Sequence, residues 1–201
     1  QLPTVYERAL LRGFRRAGGH VYLPQCPECR ACVPCRVVVD EFVLNRSQRR
    51  CARRNADLSA RLMPAAQNDE YFRLYRRYLR GRHAGGGMDD PAPEDFERFL
   101  FTGWSPTVFL ELRKGGELVA VAVTDVFAAG LSAVYTFYDP DLPARGLGTF
   151  AILSQLALAR ARRLPHVYLG YWISGHPKMD YKSRYAPLEV LRDGAWRRLD
   201  V

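Results

Sequence analysis

Residues 107–170 read TVFLELRKGGELVAVAVTDVFAAGLSAVYTFYDPDLPARGLGTFAILSQLALARARRLPHVYLG. Thr107 to Leu112, Leu118 to Phe127 and Ser132 to Tyr138 have the β-branched and aromatic content of strands, and Lys114-Gly115-Gly116 supplies the hairpin turn between the first two. A loop from Asp139 to Gly146 leads into an Ala/Leu-rich helix from Leu147 to about Arg163, and a further strand runs from Val167 to Gly170. Upstream, Asp69 to Arg82 spaces Tyr71, Phe72, Leu74, Tyr75, Tyr78 and Leu79 as the core face of a helix. A glycine-rich loop from His83 to Met88 follows, then a second helix from Pro93 to Phe101. Downstream, Leu188 to Leu191 and Ala195 to Leu199 read as a closing strand pair.

This order of antiparallel strands, glycine turn, long helix and crossover strand resembles an acyltransferase fold of the N-acetyltransferase type. The expected class is therefore α/β with a mainly antiparallel central sheet, spanning residues 68–201. Residues 1–67 are expected to form a small cysteine- and arginine-rich unit: a helix from Tyr6 to Arg16 ended by Gly18 and Gly19, a cysteine knuckle, and a strand from Arg36 to Asp40. A helix from Ser47 to Asn55, capped by Ser47, completes that unit.

With 48% apolar residues in 201, the chain has ample material for a core, which excludes a disordered protein. Thirty basic residues oppose 21 acidic ones, for a net charge of +9, and among the basic residues only Lys114, Lys178 and Lys182 are lysines. Arginine richness alone fits a GC-rich genome, but Arg46, Arg49, Arg50, Arg53 and Arg54 recur at the three- and four-residue steps of one helix face. Like charges so close repel unless an anion is near, and RNA is the favoured partner. No segment has the length of a membrane span, and QLPTVYERALLRGFRR lacks the apolar core of a signal peptide, so a cytoplasmic protein without membrane partners is expected. The start at Gln1 rather than Met points to a trimmed or incomplete chain.

Cys26, Cys29, Cys32 and Cys35 form C-x2-C-x2-C-x2-C. Bridges that short are awkward, whereas four thiolates suit a closed tetrahedral zinc site or part of an iron–sulfur run. The plainer alternative is buried or otherwise paired thiols. Cys51, apart from these on the arginine helix, reads as an incidental small residue.

The strings GFRRAGGHVYLPQCPECRACVPCRV, NRSQRRCARRNADL, YRRYLRGRHAGGGMDD, YTFYDPDLPARGLGTFAIL and YLGYWISGHPKMDYKSRYAPLE resemble, in order, the arginyl-tRNA–protein transferase family. Within it they are closest to the bacterial aspartate/glutamate leucyltransferases. The resemblance implies transfer of an aminoacyl group from charged tRNA to the N-terminus of an acidic-ended protein, which marks that protein for degradation. Members usually carry an upstream Pro-Cys-x-Tyr-Leu segment that this chain lacks, and Cys35 is not a usual family position.

An aminoacyl ester is already activated, so the enzyme has to position a neutral amine and stabilise an oxyanion; no covalent nucleophile and no CoA are expected. The Arg145, Gly146, Gly148 and Thr149 turn would receive the end of the tRNA, while Arg49, Arg50, Arg53 and Arg54 would meet its phosphates. Arg46, Arg49, Lys178 and Lys182 are the candidates for the substrate's acidic side chain, with a solvated loop pair the plain alternative for the lysines. Asp139 either opens a turn or takes a proton from the amine, and Tyr181 is the other catalytic candidate. His83 contacts substrate or caps a helix, and Tyr171 and Trp172 line a pocket or pack in the core. The competing functions are arginyl transfer, acetyl-CoA-dependent acetylation, and RNA binding by a non-catalytic metal module.

Overall fold

The computed structural model describes residues 2–82 and 91–200. Helix α1 (Leu2–Leu11) leads to a hairpin of β1 (Arg15–Ala17) and β2 (His20–Tyr22), followed by β3 (Val33–Val38), α2 (Arg46–Arg54), β4 (Leu58–Pro64), α3 (Asp69–Arg82) and α4 (Pro93–Leu100). Three long strands come next, β5 (Thr107–Lys114), β6 (Glu117–Phe127) and β7 (Gly130–Tyr138), then α5 (Leu147–Ala161), β8 (His166–Trp172), β9 (Leu188–Arg192) and β10 (Ala195–Arg198).

One sheet of eight strands, ordered β10-β9-β3-β8-β7-β6-β5-β4, organises the molecule. It is mixed, which corrects the mainly antiparallel expectation: β7 and β8 run parallel, whereas the other neighbours are antiparallel. The reason is α5, which carries the chain from the end of β7 back across one face, so that β8 sets out in the same direction. The small N-terminal unit is not seen as a body apart: β3 is inserted between β9 and β8 and β4 forms the edge beside β5, so residues 1–67 contribute two strands to the common sheet, while β1 and β2 pair with each other. A segment too small to bury its own apolar surface does so here by strand addition: Cys35 and Val37 of β3 pack with Leu153, Leu156 and Val190 in one core.

α5 covers one face of the sheet and α3 with α4 the other. The α3/α4 side is aromatic: Phe96 makes edge contacts with Tyr75 at 5.2 Å and Phe137 at 5.9 Å. Such pairs each add about 0.5–1.5 kcal/mol beyond burial. β6 is buried on both faces, as its unbroken apolar run requires.

Two local expectations change. The Gly18-Gly19 pair is the turn of the β1–β2 hairpin rather than the end of a helix, and Arg15 and Arg16 enter the interior, 7% and 5% exposed. Arg16 forms a fork with Asp125 at 2.6 Å on both nitrogens and fastens the hairpin to β6. The cap of α2 is Asn45, whose side chain accepts from Gln48 N at 2.9 Å while the Gln48 side chain accepts from Asn45 N, a closed capping box.

Candidate active site

Strands β7 and β8 pair only at Leu131–Val167 and Ser132–Tyr168, and then part. Gly170 causes the divergence on the β8 side. Its φ of +83° is a left-handed conformation that side chains disfavour, and the β3–β8 register slips opposite it, between Cys35 and Arg36. On the β7 side, the carbonyl of Ala133 accepts a hydrogen bond from the Arg15 guanidinium. The result is an opening in the middle of the sheet.

The start of α5 follows directly from β7. Gly146, at φ 65° and ψ 45°, sits at its cap and offers no side chain to accept from its first turn. The N–H groups there carry the positive end of the helix dipole. A Cβ on Gly148 would lie 3.3 Å from the Tyr138 ring, so glycine lets that ring rest on the first helical turn.

The loop after β8 folds back over the opening through a short 3₁₀ turn, Asp180–Arg184. Trp172 Nε1 donates to Asp180 Oδ1 at 3.1 Å, which holds the turn in place. Lys182 is only 6% exposed: its ammonium donates to the Tyr171 carbonyl and lies 3.8 Å from Met179 Sδ. Burial, above all, pulls its pKa below the usual lysine value. Tyr181 keeps part of its ring in solvent, yet desolvation, then the neighbouring Cys35 and Tyr138, raise its pKa. It stays protonated at neutral pH and is a donor rather than a base.

Helix α2 forms the rim. At one end Asn45 Nδ2 and Gln48 Nε2 donate to the Arg184 carbonyl at 3.3 and 3.0 Å; at the other, Asn55 Nδ2 donates to the Arg145 carbonyl at 2.8 Å. Cys51 Sγ also faces the Arg145 and Gly146 carbonyls, so this cysteine is a packing contact beneath the turn. With its buried side anchored, the helix presents Arg46, Arg49, Arg50, Arg53 and Arg54 outward, all exposed. The arginine helix, the Gly146–Thr149 turn and the Lys182 loop are thus brought together around one mouth.

Other sequence candidates are placed differently. Asp139 Oδ1 accepts from Arg77 Nη2 at 2.8 Å and from Asp141 N at 2.9 Å, so the carboxylate closes the turn before α5, and we assign it no proton-transfer role. Arg145 is neutralised by Asp57 through two bonds of 2.8 Å and clamps the same turn to the end of α2. Lys178 is exposed and separated from its expected partner Lys182, which is buried. Tyr171 and Trp172 are buried, and the Tyr171 hydroxyl donates to the Gly13 carbonyl at 2.9 Å. His83 lies outside the described residues.

The cysteines do not converge as a four-thiolate set. Cys26 and Cys29 face each other in an isolated bridge and are exposed, whereas Cys35 is buried in the sheet core, its thiol pushed up to about 11 mainly by burial. No group of three or more ligating side chains gathers among the described residues. A closed site built on Cys35 does not fit this arrangement.

Sequence reasoning missed Arg15. Its terminal Nη1 is buried with no hydrogen-bond partner among the described residues, and its Nε approaches Gly170. The available signal is the Arg-Arg pair beside a Gly-Gly turn, which the reading of a helix from Tyr6 to Arg16 passes over.

Comparison with known proteins accords with this geometry. Residues 1–50 match the family model described as arginine-tRNA-protein transferase, N terminus, and residues 70–192 match that for its C terminus. A protein of Stenotrophomonas maltophilia (strain K279a) named aspartate/glutamate leucyltransferase is 56% identical over 206 residues, covering 100% of this chain and 82% of its own length. One of the same name from Xylella fastidiosa (strain 9a5c) is 51% identical, over 98% of this chain and 80% of its own. Among solved structures, the C-terminal domain of a putative lysylphosphatidylglycerol synthetase from Agrobacterium fabrum shares the fold, with TM-score 0.54, 17% identity, and coverage of 85% of this chain and 52% of that one. L-PGS from Bacillus licheniformis does likewise, with TM-score 0.57, 11% identity, and coverage of 78% and 52%. At these identities both likenesses concern the fold alone. With both halves matched in order and more than half of its residues shared with such relatives over nearly its whole length, the chain belongs to the arginine-tRNA-protein transferase family.

Proposed function

We propose that this enzyme transfers leucine from charged tRNA to the N-terminal amine of proteins that begin with Asp or Glu. The observation that carries the proposal is identity of 51–56% over 98–100% of the chain with relatives named for that activity. The chemistry accords with the open sheet. The substrate amine, in its neutral form, attacks the ester carbonyl; the new C–N bond forms as the C–O bond to the terminal ribose breaks, and the released ribose oxygen takes up the proton that the amine loses. An α-amine of pKa near 7.7–8.0 keeps about a fifth to a third of its population neutral at physiological pH. The first-turn N–H groups of α5 and the protonated Tyr181 hydroxyl are suited to stabilise the tetrahedral oxyanion. The exposed arginines of α2 supply a surface for tRNA phosphates. The cytoplasm is the compartment that this substrate pair requires.

Incubation with tRNA charged with Leu or Arg, and peptides that begin with Asp, Glu or Asn, tests the reading directly. The expected product is a leucyl adduct on the Asp and Glu peptides, read by mass spectrometry. Transfer from Arg-tRNA alone would reassign the donor, and acetylation with acetyl-CoA would reassign the class.

For the cysteines we infer no assembled metal site, since no three ligating side chains gather among the described residues and Cys35 is buried in the sheet core. Metal analysis after anaerobic purification should then find no more metal in wild type than in Cys29→Ser. Metal present in wild type and lost in Cys29→Ser contradicts this reading.

A further inference from the structure

Two buried cations share the opening between β7 and β8. The absent side chain of Gly170 leaves a space that both approach: a Cβ built there would be 3.7 Å from Arg15 Nε and 3.9 Å from Lys182 Nζ. Neither cation forms an ion pair with a carboxylate among the described residues. Arg15 bonds the Ala133 carbonyl and leaves Nη1 without a partner; Lys182 has the Tyr171 carbonyl and the Met179 sulfur. The contrast with its neighbour is instructive, since Arg16, equally buried, meets Asp125 through a two-point fork. The nearby Cys35 is held protonated and supplies no counter-charge. Two like charges taken out of water without an anion are unfavourable by several kcal/mol, and these two sit where β7 and β8 part.

We propose that the Arg15 guanidinium and the Lys182 ammonium, converging over Gly170, form the receptor for the side-chain carboxylate of the substrate's N-terminal residue. This rests on the acidic-end transferase reading above and names the residues that give it specificity. A carboxylate on a slender side chain can reach between parted strands and accept from both cations, whereas a phosphodiester is bulky and is offered an exposed arginine surface on α2. The site therefore favours a peptide carboxylate over a tRNA phosphate. An amide in the same place would leave both charges uncompensated, which gives discrimination against Asn and Gln. The exposed Lys178, Arg46 and Arg49 are released from this role.

The test uses the full chain with Asp- and Asn-initiated peptides and charged tRNA. Lys182→Met should reduce the Asp-over-Asn ratio of kcat/KM by at least about 30-fold, the lower bound expected for removing one member of a desolvated charge pair. Ligand-free Lys182→Met should melt at or above the wild-type temperature, because it removes a buried charge without a counter-ion; a merely structural lysine would melt lower. Arg15→Lys keeps a cation and guards against misfolding in Arg15→Met; it should retain part of the ratio. An unchanged ratio in well-folded Lys182→Met overturns the proposal, and reduced charged-tRNA affinity at an unchanged ratio reassigns the cations to phosphate. Calorimetric binding of the same peptides without tRNA separates the receptor from the reaction. If no leucine is transferred, preferential binding of the Asp peptide that is lost in Lys182→Met still supports the receptor, and no preference in wild type overturns it.

Discussion

Replacing Arg49, Arg50 and Arg53 together with glutamine is expected to flatten the salt dependence of tRNA binding by a log–log slope of about 2.1 to 2.7, at about 0.7 to 0.9 per phosphate contact. Between 50 and 200 mM salt the variant should therefore lose about 20- to 40-fold less affinity than wild type. The three side chains are exposed and none forms an ion pair among the described residues; the one bond to protein is from Arg49 Nη1 to the Leu44 carbonyl at 2.6 Å. Their charge is available to an incoming polyanion. The helix should survive, because its anchoring comes from the buried Gln48, Cys51 and Asn55 on the opposite side. Arg145 provides the contrast: paired with Asp57, its replacement by alanine should lower stability and leave the slope nearly unchanged. Binding titrations with a charged-tRNA analogue at four or five salt concentrations decide the matter, and an unaltered slope in the triple variant removes α2 from the interface.

The elements legible in the sequence are those whose burial is periodic. β5, β6 and β7 announce themselves because both faces of the central strands are covered, and the Lys114-Gly115-Gly116 turn separates the first two. α3 was legible for a related reason, since its aromatic face fills one side of the sheet. β4 was not, because an edge strand with five of seven residues exposed has no apolar alternation to read. The parallel pairing of β7 with β8 was implicit in the intervening helix, but the insertion of β3 between β8 and β9 is a long-range choice that no local pattern encodes. The site divides in the same way. The arginine stripe of α2 and the glycine turn before α5 are local patterns, and both meet at the mouth. Arg15 acquires meaning only through Ala133, Gly170 and Lys182, which lie 118 or more positions away. Lys178 and Lys182 look equivalent in sequence; the Asp180–Arg184 turn buries one and leaves the other in solvent.

Asp125→Ala is expected to destabilise the fold by about 3–5 kcal/mol, the range for breaking a buried ion pair from one side. Both side chains of the Arg16–Asp125 pair are fully buried. Arg16 also donates to the Thr107 hydroxyl at 3.0 Å and to the Leu100 and Gly18 carbonyls at 3.2 Å, and Thr107 donates to Asp125 at 2.7 Å. Removing the carboxylate leaves those dipoles but no counter-charge for the guanidinium. A domain of ordinary stability, about 5–15 kcal/mol, would lose a large part of its margin. Arg16→Lys should be costly too, because an ammonium cannot reproduce the two-point fork. The combination Arg16→Met with Asp125→Leu removes both charges together, and should restore much of the loss. That hairpin carries Arg15 into the opened sheet, so the same series links packing to specificity. Urea unfolding supplies the stability, and the Asp-over-Asn ratio reports the position of Arg15. If Asp125→Ala unfolds at the wild-type midpoint, the pair is not what fastens the hairpin. If the charge-free combination recovers stability but not selectivity, the fork contributes geometry to Arg15 that apolar packing cannot replace.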